Sequence, residues 1–263
     1  MTLLPTAVTG TLRYETRLVM RRRGLWLSLI PLTMLMLLLV LVSQKVAGLA
    51  DPVARIGTTA LVLSIFGTPG VAVTLTDRFA VMRRQGIADL LDATPAGSGT
   101  RMLGTLAGPL AVVLAPAALM LILLGVWWSI TAATPAPLLA AAAAVLTVIL
   151  PGALALTSLA ALLGLLLPAV VARVIVVVTW FWATVLTPSL VPVPTITGSL
   201  LSPAGGYPAA GWLHADPVWA HRFHDGPLSP AVTGPAILAN LALVLLLAAA
   251  FFTIARLVAG RRP

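Results

Sequence analysis

"MLGTLAGPLAVVLAPAALMLILLGVWWSITAATPAPLLAAAAAVLTVIL", residues 102–150, decides the fold. It opens a run of 71 residues, Met102 to Ala172, that carries no charge. A helix crosses the hydrocarbon core of a bilayer with about 20 apolar residues at 1.5 Å rise each. The run therefore holds more than one crossing, and Thr131-Ala-Ala-Thr-Pro-Ala-Pro137 is its natural turn, because paired prolines end a helix. That reading predicts spans at Met102–Ile130 and Leu138–Leu163. Gly164 and Pro168 mark the next boundary, with a further span at Pro168–Thr187 and Arg173 near its start, where it can snorkel to headgroups. Outward from there, Gly24–Ser43, Ile56–Thr76 and Ala231–Ala255 complete six.

Composition agrees with that class. The 263 residues are 60% hydrophobic and only 9% charged, against roughly a quarter charged in soluble domains. A net charge of +9 would suit nucleic acid only on a folded polar domain with a clustered basic face, and no such domain exists here. Nucleic acid is thus not expected as a partner. The chain has no cysteine, which excludes disulfides, thiol nucleophiles and thiolate metal sites. Arginine outnumbers lysine fifteen to one, the bias of a GC-rich bacterial genome.

Basic residues set the direction of insertion. With the amino terminus inside, thirteen arginines lie on the cytoplasmic side and Lys45, Arg55 and Arg222 outside. Both termini and residues 77–101 are then cytoplasmic, and residues 44–55, 131–137 and 188–230 face outward. Residues 1–23 read as an amphipathic helix lying in the interface against membrane lipids. Arg13, Arg17 and Arg21 form one stripe and Val8, Leu12 and Val19 another. A disordered basic tail is the bland alternative. "MRRRGLWLSL" lacks the cleavage site of a signal peptide.

All seven acidic residues, Glu15, Asp51, Asp77, Asp89, Asp92, Asp216 and Asp225, fall outside the spans. Ionisable side chains in the bilayer cost roughly 3 kcal/mol each and mark proton and ion pathways. Their absence argues against an ion-coupled carrier. Asn240, the one side-chain amide within a span, reads as helix–helix glue. Thr68-Pro69-Gly70 and Pro151-Gly152 should kink their helices. His214, His221 and His224 share the 43-residue outer loop Pro188–Pro230 with Tyr207, Trp212, Trp219 and Phe223. Their spacing matches no metal set, so solvated histidines are the better reading and no metal is expected. Trp219 and Phe223, at i and i+4, suit an aromatic belt in the outer interface.

The cytoplasmic stretch "GIADLLDATPAGSGTRMLG", residues 86–104, differs from its surroundings. Ile87, Leu90, Leu91 and Thr94 share a helical stripe, Asp89 and Asp92 face elsewhere, and Pro95 ends the helix. The apolar stripe could meet the interface, the chain's own helices or a soluble partner.

"RRQGIADLLDATPAGSGTRMLGTLAG" resembles the signature of type 2 ATP-binding-cassette export permeases. In these a charged run is followed by Gly, an acidic-Leu-Leu segment, Thr-Pro and, about eight residues on, Gly-Lys near the third span. Gly86, Asp89, Leu90, Leu91, Thr94, Pro95 and Gly104 match; Thr105 stands in place of the lysine, and Arg83-Arg84-Gln85 where acidic residues are common. The whole plan is similar too, with an elbow helix, six spans, a cytoplasmic second loop and a long outer loop. The resemblance implies an all-α integral membrane protein, with an elbow helix at 1–23 and a six-span transmembrane domain at 24–263. It makes residues 86–95 a coupling helix resting on a cytosolic ATP-binding-cassette ATPase subunit. The chain has no GxxxxGK[ST], so it needs no cofactor of its own, and ATP and Mg would be bound by that partner. A second permease copy or a homologue would complete the pathway for a drug, peptide or lipid. The rivals are a non-transporting membrane subunit of an ATPase-driven complex, an uncoupled channel or secondary carrier, and a membrane-embedded enzyme.

Overall fold

The computed structural model describes residues 3–76, 98–187, 193–215 and 227–260, and every regular element among them is helical. In chain order these are α1 (Leu3–Met20), α2 (Arg23–Val42), the single turn α3 (Gln44–Ala47), α4 (Pro52–Leu75), α5 (Ser98–Ala132), α6 (Ala136–Leu166), α7 (Ala169–Thr184), α8 (Gly206–Trp212) and α9 (Gly234–Gly260). Five of them, α2, α4, α5, α6 and α9, are long and apolar enough to cross a membrane. This is a multi-pass membrane architecture.

The boundaries follow from local chemistry. Asp51 caps α4, its Oδ1 accepting the Val53 N–H at 2.9 Å, and Pro52 takes the first helical position, where its missing N–H costs nothing. The helix thus begins four residues before the expected Ile56 and takes in Arg55. That guanidinium turns back to the carbonyls of Leu49 and Ala47, the latter at the end of α3. The α5–α6 turn falls at Ala133–Pro135 as expected, with Ala133 at φ +51°. Ser129 Oγ accepts the Leu138 N–H across it. Gly164 does not end α6. It lies inside that helix, where a β-carbon would meet the Thr76 carbonyl just past the end of α4, and the break comes at Leu167-Pro168.

The expected fifth span is the main departure. α7 has 16 residues, about 24 Å, short of a ~30 Å hydrocarbon core. Beyond it, residues 193–215 do not form a solvated loop. Ser202 through Ala209 are all buried. Irregular backbone is tolerated at membrane depth only where protein satisfies its polar groups, and here it does. Asn240 of α9 donates to the carbonyls of Leu200 (2.8 Å) and Ser202 (3.1 Å). Ser202 Oγ donates to Ala183 O, Thr197 Oγ1 to Trp182 O and Trp182 Nε1 to Pro194 O, pinning the segment to the end of α7. Tyr207 is 1% exposed and donates to Pro230 O, so it packs in the interior; Trp219 and Phe223, the pair expected in the interfacial belt, lie outside the described residues. Asn240 is glue as expected, though to this segment and not to another helix.

Candidate functional site: two helix kinks and the segment that reaches them

Two helices carry the same irregularity. In α4 a five-residue π-turn, Leu63–Gly67, runs into Thr68-Pro69-Gly70; in α6 another, Val145–Ile149, runs into Leu150-Pro151-Gly152. The cause is covalent. Proline has no N–H for the carbonyl four residues back and its ring crowds that carbonyl, so the chain widens by one residue per turn to pass it. A local irregularity thus stands at each of the two prolines expected to kink their helices, and the two π-turns pack against each other across the bundle.

Pro69 deprives the Ile65 carbonyl of its helical partner. Trp180 of α7 supplies one: its indole Nε1 donates to Ile65 O at 2.7 Å, with the ring 1% exposed. The far edge of the same ring lies 3.1 Å from where a β-carbon on Gly152 would stand. Trp180 therefore touches both kinks, bonding one and packing on the other.

The buried segment after α7 completes the arrangement. The Pro203 carbonyl rests directly on Gly152, a contact that any β-carbon would close. Gly205, at φ +77°, lies with Val148 Cα 2.7 Å from the place its own β-carbon would occupy, and only glycine combines that conformation with that approach. Val148 stands roughly 18 Å along α6 from its start at Ala136. The segment thus reaches the middle of the helix.

Polar groups at the first kink are under-used. Ser64 and Thr68 hydroxyls are buried and bond to nothing, and Thr68 lines a cleft of about 30 Å³ with Leu29, Thr33, Met36, Leu63 and Ile149, room for one or two waters. The Thr58 hydroxyl, earlier in α4, is likewise buried and unpartnered. Several other hydroxyls in the spans are spent on carbonyls four residues back: Thr33 on Leu29, Thr59 on Arg55, Thr76 on Ala72, Thr147 on Ala143 and Thr157 on Ala153. Such back-bonded hydroxyls are not available to a ligand. Ionisable side chains within the five long helices stand only near their ends, as Arg55 and Arg256 do.

On another face, α1 packs lengthwise on the start of α5. Gly104 and Gly108, one turn apart, make the notch: a β-carbon on Gly104 would stand 2.9 Å from Thr11, and one on Gly108 3.0 Å from the Leu12 carbonyl. Close backbone approach through paired small residues is a common solution in membranes. Glu15 and Val19 are buried on this side, while Arg13, Arg17 and Arg21 are exposed. Of the expected apolar stripe, Val19 faces protein instead of lipid, while Leu12 is exposed.

Of the residues matched to the coupling signature, Gly86, Asp89, Leu90, Leu91, Thr94 and Pro95 lie outside the described residues, and Gly104 receives α1. Among the outer-loop histidines, His221 and His224 lie outside them too. His214, at φ +52°, places Nδ1 2.9 Å from Asp51 Oδ2 and joins the start of α4 to the segment after α7. Burial pushes the Asp51 carboxyl up, but bonds from His214 and the Val53 N–H outweigh it and leave it below its ordinary value. No group of three metal-ligating side chains occurs among the described residues.

Pro69 and Pro151 stand out in the sequence; Trp180, Pro203 and Gly205 do not. One signal was available: no charged residue stands between Arg173 and Asp216, so the chain after α7 can enter the apolar interior. No family model, curated protein or solved structure matches the chain.

Proposed function

We propose that this chain is the membrane-spanning permease subunit of an ATP-driven exporter in a bacterial plasma membrane. It crosses six times with both termini cytoplasmic. The fifth crossing is α7 extended by the buried segment 193–215, which supplies the length that the 16-residue helix lacks. Two copies, or this chain and a homologue, enclose the pathway, and two cytosolic ATPase subunits bind ATP and Mg and hydrolyse the nucleotide.

The observation that carries this reading is "GIADLLDATPAGSGTRMLG" between two spans. Its apolar stripe offers an ATPase a surface, and Asp89 and Asp92 flank it. The interior of the spans supports the reading from another side. With ionisable groups confined to helix ends there is no relay to harness a proton or sodium gradient, so work must come from outside the chain. Spans without charge also suit an amphiphilic or hydrophobic cargo such as a drug, peptide or lipid. Gating belongs to α4 and α6, whose kinks meet at Trp180.

The test is reconstitution. The chain is purified from its native membrane and scored for a co-purifying ATPase, and the complex is placed in liposomes with candidate hydrophobic cargoes. A bound ATPase whose turnover rises with cargo supports export. A bound ATPase with turnover indifferent to every cargo favours a non-transporting subunit, and absence of an ATPase sinks the proposal.

A further inference from the structure

α1 has two unlike sides. Toward α5 it turns Thr11, Glu15 and Val19, seated on Gly104 and Gly108; Glu15 is 4% exposed and Val19 1%. Away from the bundle it turns Arg13 and Arg17, spaced one turn apart, and Arg21 continues the stripe just past the helix end. Arg22 and Arg23 follow, so five exposed arginines stand within eleven residues. None of the five holds an ion pair with a described residue. The only acid in α1 is on the opposite side, held there by the glycine notch.

The surroundings of this basic face identify its partner. Tyr14 (65% exposed) and Met20 (49%) flank the arginines. Trp26 donates from Nε1 to the Met20 carbonyl at 2.8 Å, tying the end of α1 to the first turn of α2. The apolar span begins at Leu25, two residues past Arg23. Arginines that immediately precede a span stand at headgroup depth, where the nearest anions are lipid phosphates. A tyrosine and a methionine beside them can enter the acyl boundary, which a purely ionic partner would not require.

We propose that the outward face of α1, Arg13, Arg17 and Arg21 with Arg22 and Arg23, is a binding site for anionic phospholipid headgroups. The basic face is thus the one turned away from the bundle, while Val19 of the apolar stripe is buried within it. The site rests only on Leu25–Val42 spanning a membrane and needs no ATPase, so it stands or falls apart from the exporter reading.

The experiment titrates the purified full chain in mild detergent with fluorescent phosphatidylglycerol and, separately, phosphatidylcholine, with inorganic phosphate as competitor. The parent should prefer phosphatidylglycerol by at least about tenfold, given that each arginine near an anionic surface contributes a factor of several. R13Q/R17Q/R21Q should lose most of that preference, and R13K/R17K/R21K, which keeps the charge, should retain it. Inorganic phosphate at millimolar concentration should not displace the lipid. Preference unchanged in the glutamine variant would overturn the proposal. So would its loss in the lysine variant, which would show that charge is not what binds. Displacement by phosphate would make the face a simple ion site, and loss of the preference whenever an ATPase is bound would assign it to that partner.

Discussion

The kinks in α4 and α6 are built from the same local chemistry and held in different ways. Each is a π-turn followed by X-Pro-Gly. The α6 kink has backbone against it: the Pro203 carbonyl on Gly152 and Gly205 on Val148. The α4 kink has side chains against it, Trp180 bonded to the Ile65 carbonyl and Leu32 on Gly70, and borders a small cleft lined by Thr68, whose hydroxyl is unpartnered. A packed contact between backbones has no slack, since protein interiors are as dense as crystals and do not deform smoothly. The difference predicts that added volume is tolerated worse at the α6 kink than at the α4 kink.

Glycine substitutions break the comparison most severely. Gly152→Val would drive a side chain into the Pro203 carbonyl and the Trp180 ring, an overpacking cost of about 3 kcal/mol or more. The expected outcome is a large loss of folded protein by size-exclusion after solubilisation. Gly70→Val, at the matching place in the α4 kink, would bring its β-carbon 2.9 Å from Leu32 Cδ2, the far end of a flexible side chain and not backbone, and should lower yield far less. Equal damage at both positions would end the distinction between the two kinks.

The next effect is smaller and tests the hydrogen bond itself. Trp180→Phe keeps most of the ring and removes the donor, leaving the Ile65 carbonyl buried and unpaired at about 1–3 kcal/mol. A thermal melt should show that loss. Pro69→Ala restores a backbone N–H four residues after Ile65, so the double variant should recover part of it. No recovery would mean that Trp180 acts by packing alone.

Asn240→Leu removes the donor to two carbonyls of the buried segment and should cost about 1–2 kcal/mol, the range for polar contacts inside membranes. The readout is faster proteolysis of the segment 193–215 with the five long helices intact. Unchanged protection would show that packing holds the segment without the amide.

The Asp51–His214 contact is exposed and contributes least. A carboxyl held below its ordinary value stabilises the fold above about pH 4 and loses that contribution as pH falls further. A melt should therefore show Asp51→Asn slightly less stable than the parent at pH 7, with the gap closing toward pH 3. A gap that widens on acidification would reverse the sign.

How much of this the sequence discloses depends on the kind of interaction. Long apolar runs and the Thr134-Pro135 turn can be read because hydropathy and proline act locally. Pro69 and Pro151 likewise announce kinks, though not that both relax through π-turns. The fate of "SPAGGYPAA", residues 202–210, is not local: small residues suit a solvated turn or a close-packed interior equally well, and only Asn240 and Gly152, far away in the chain, decide between them. The face of α1 is hidden for the same reason. Val19 reads as a lipid contact until Gly104 and Gly108 are seen to admit the helix. Six of the seven residues matched to the coupling signature lie outside the described residues, so their role rests on sequence.

That role is the central claim, and one substitution addresses it. Leu90→Asp places a charge on the apolar stripe of residues 86–95, outside the spans, where burying it unpaired against a partner costs roughly 2–5 kcal/mol. Membrane yield, co-purifying ATPase and cargo-stimulated ATP turnover are measured for parent and variant together. The account predicts normal yield with the ATPase lost or its turnover no longer responsive to cargo. A variant that keeps both the partner and full cargo-stimulated turnover would contradict it and leave "GIADLLDATP" a connector between two spans.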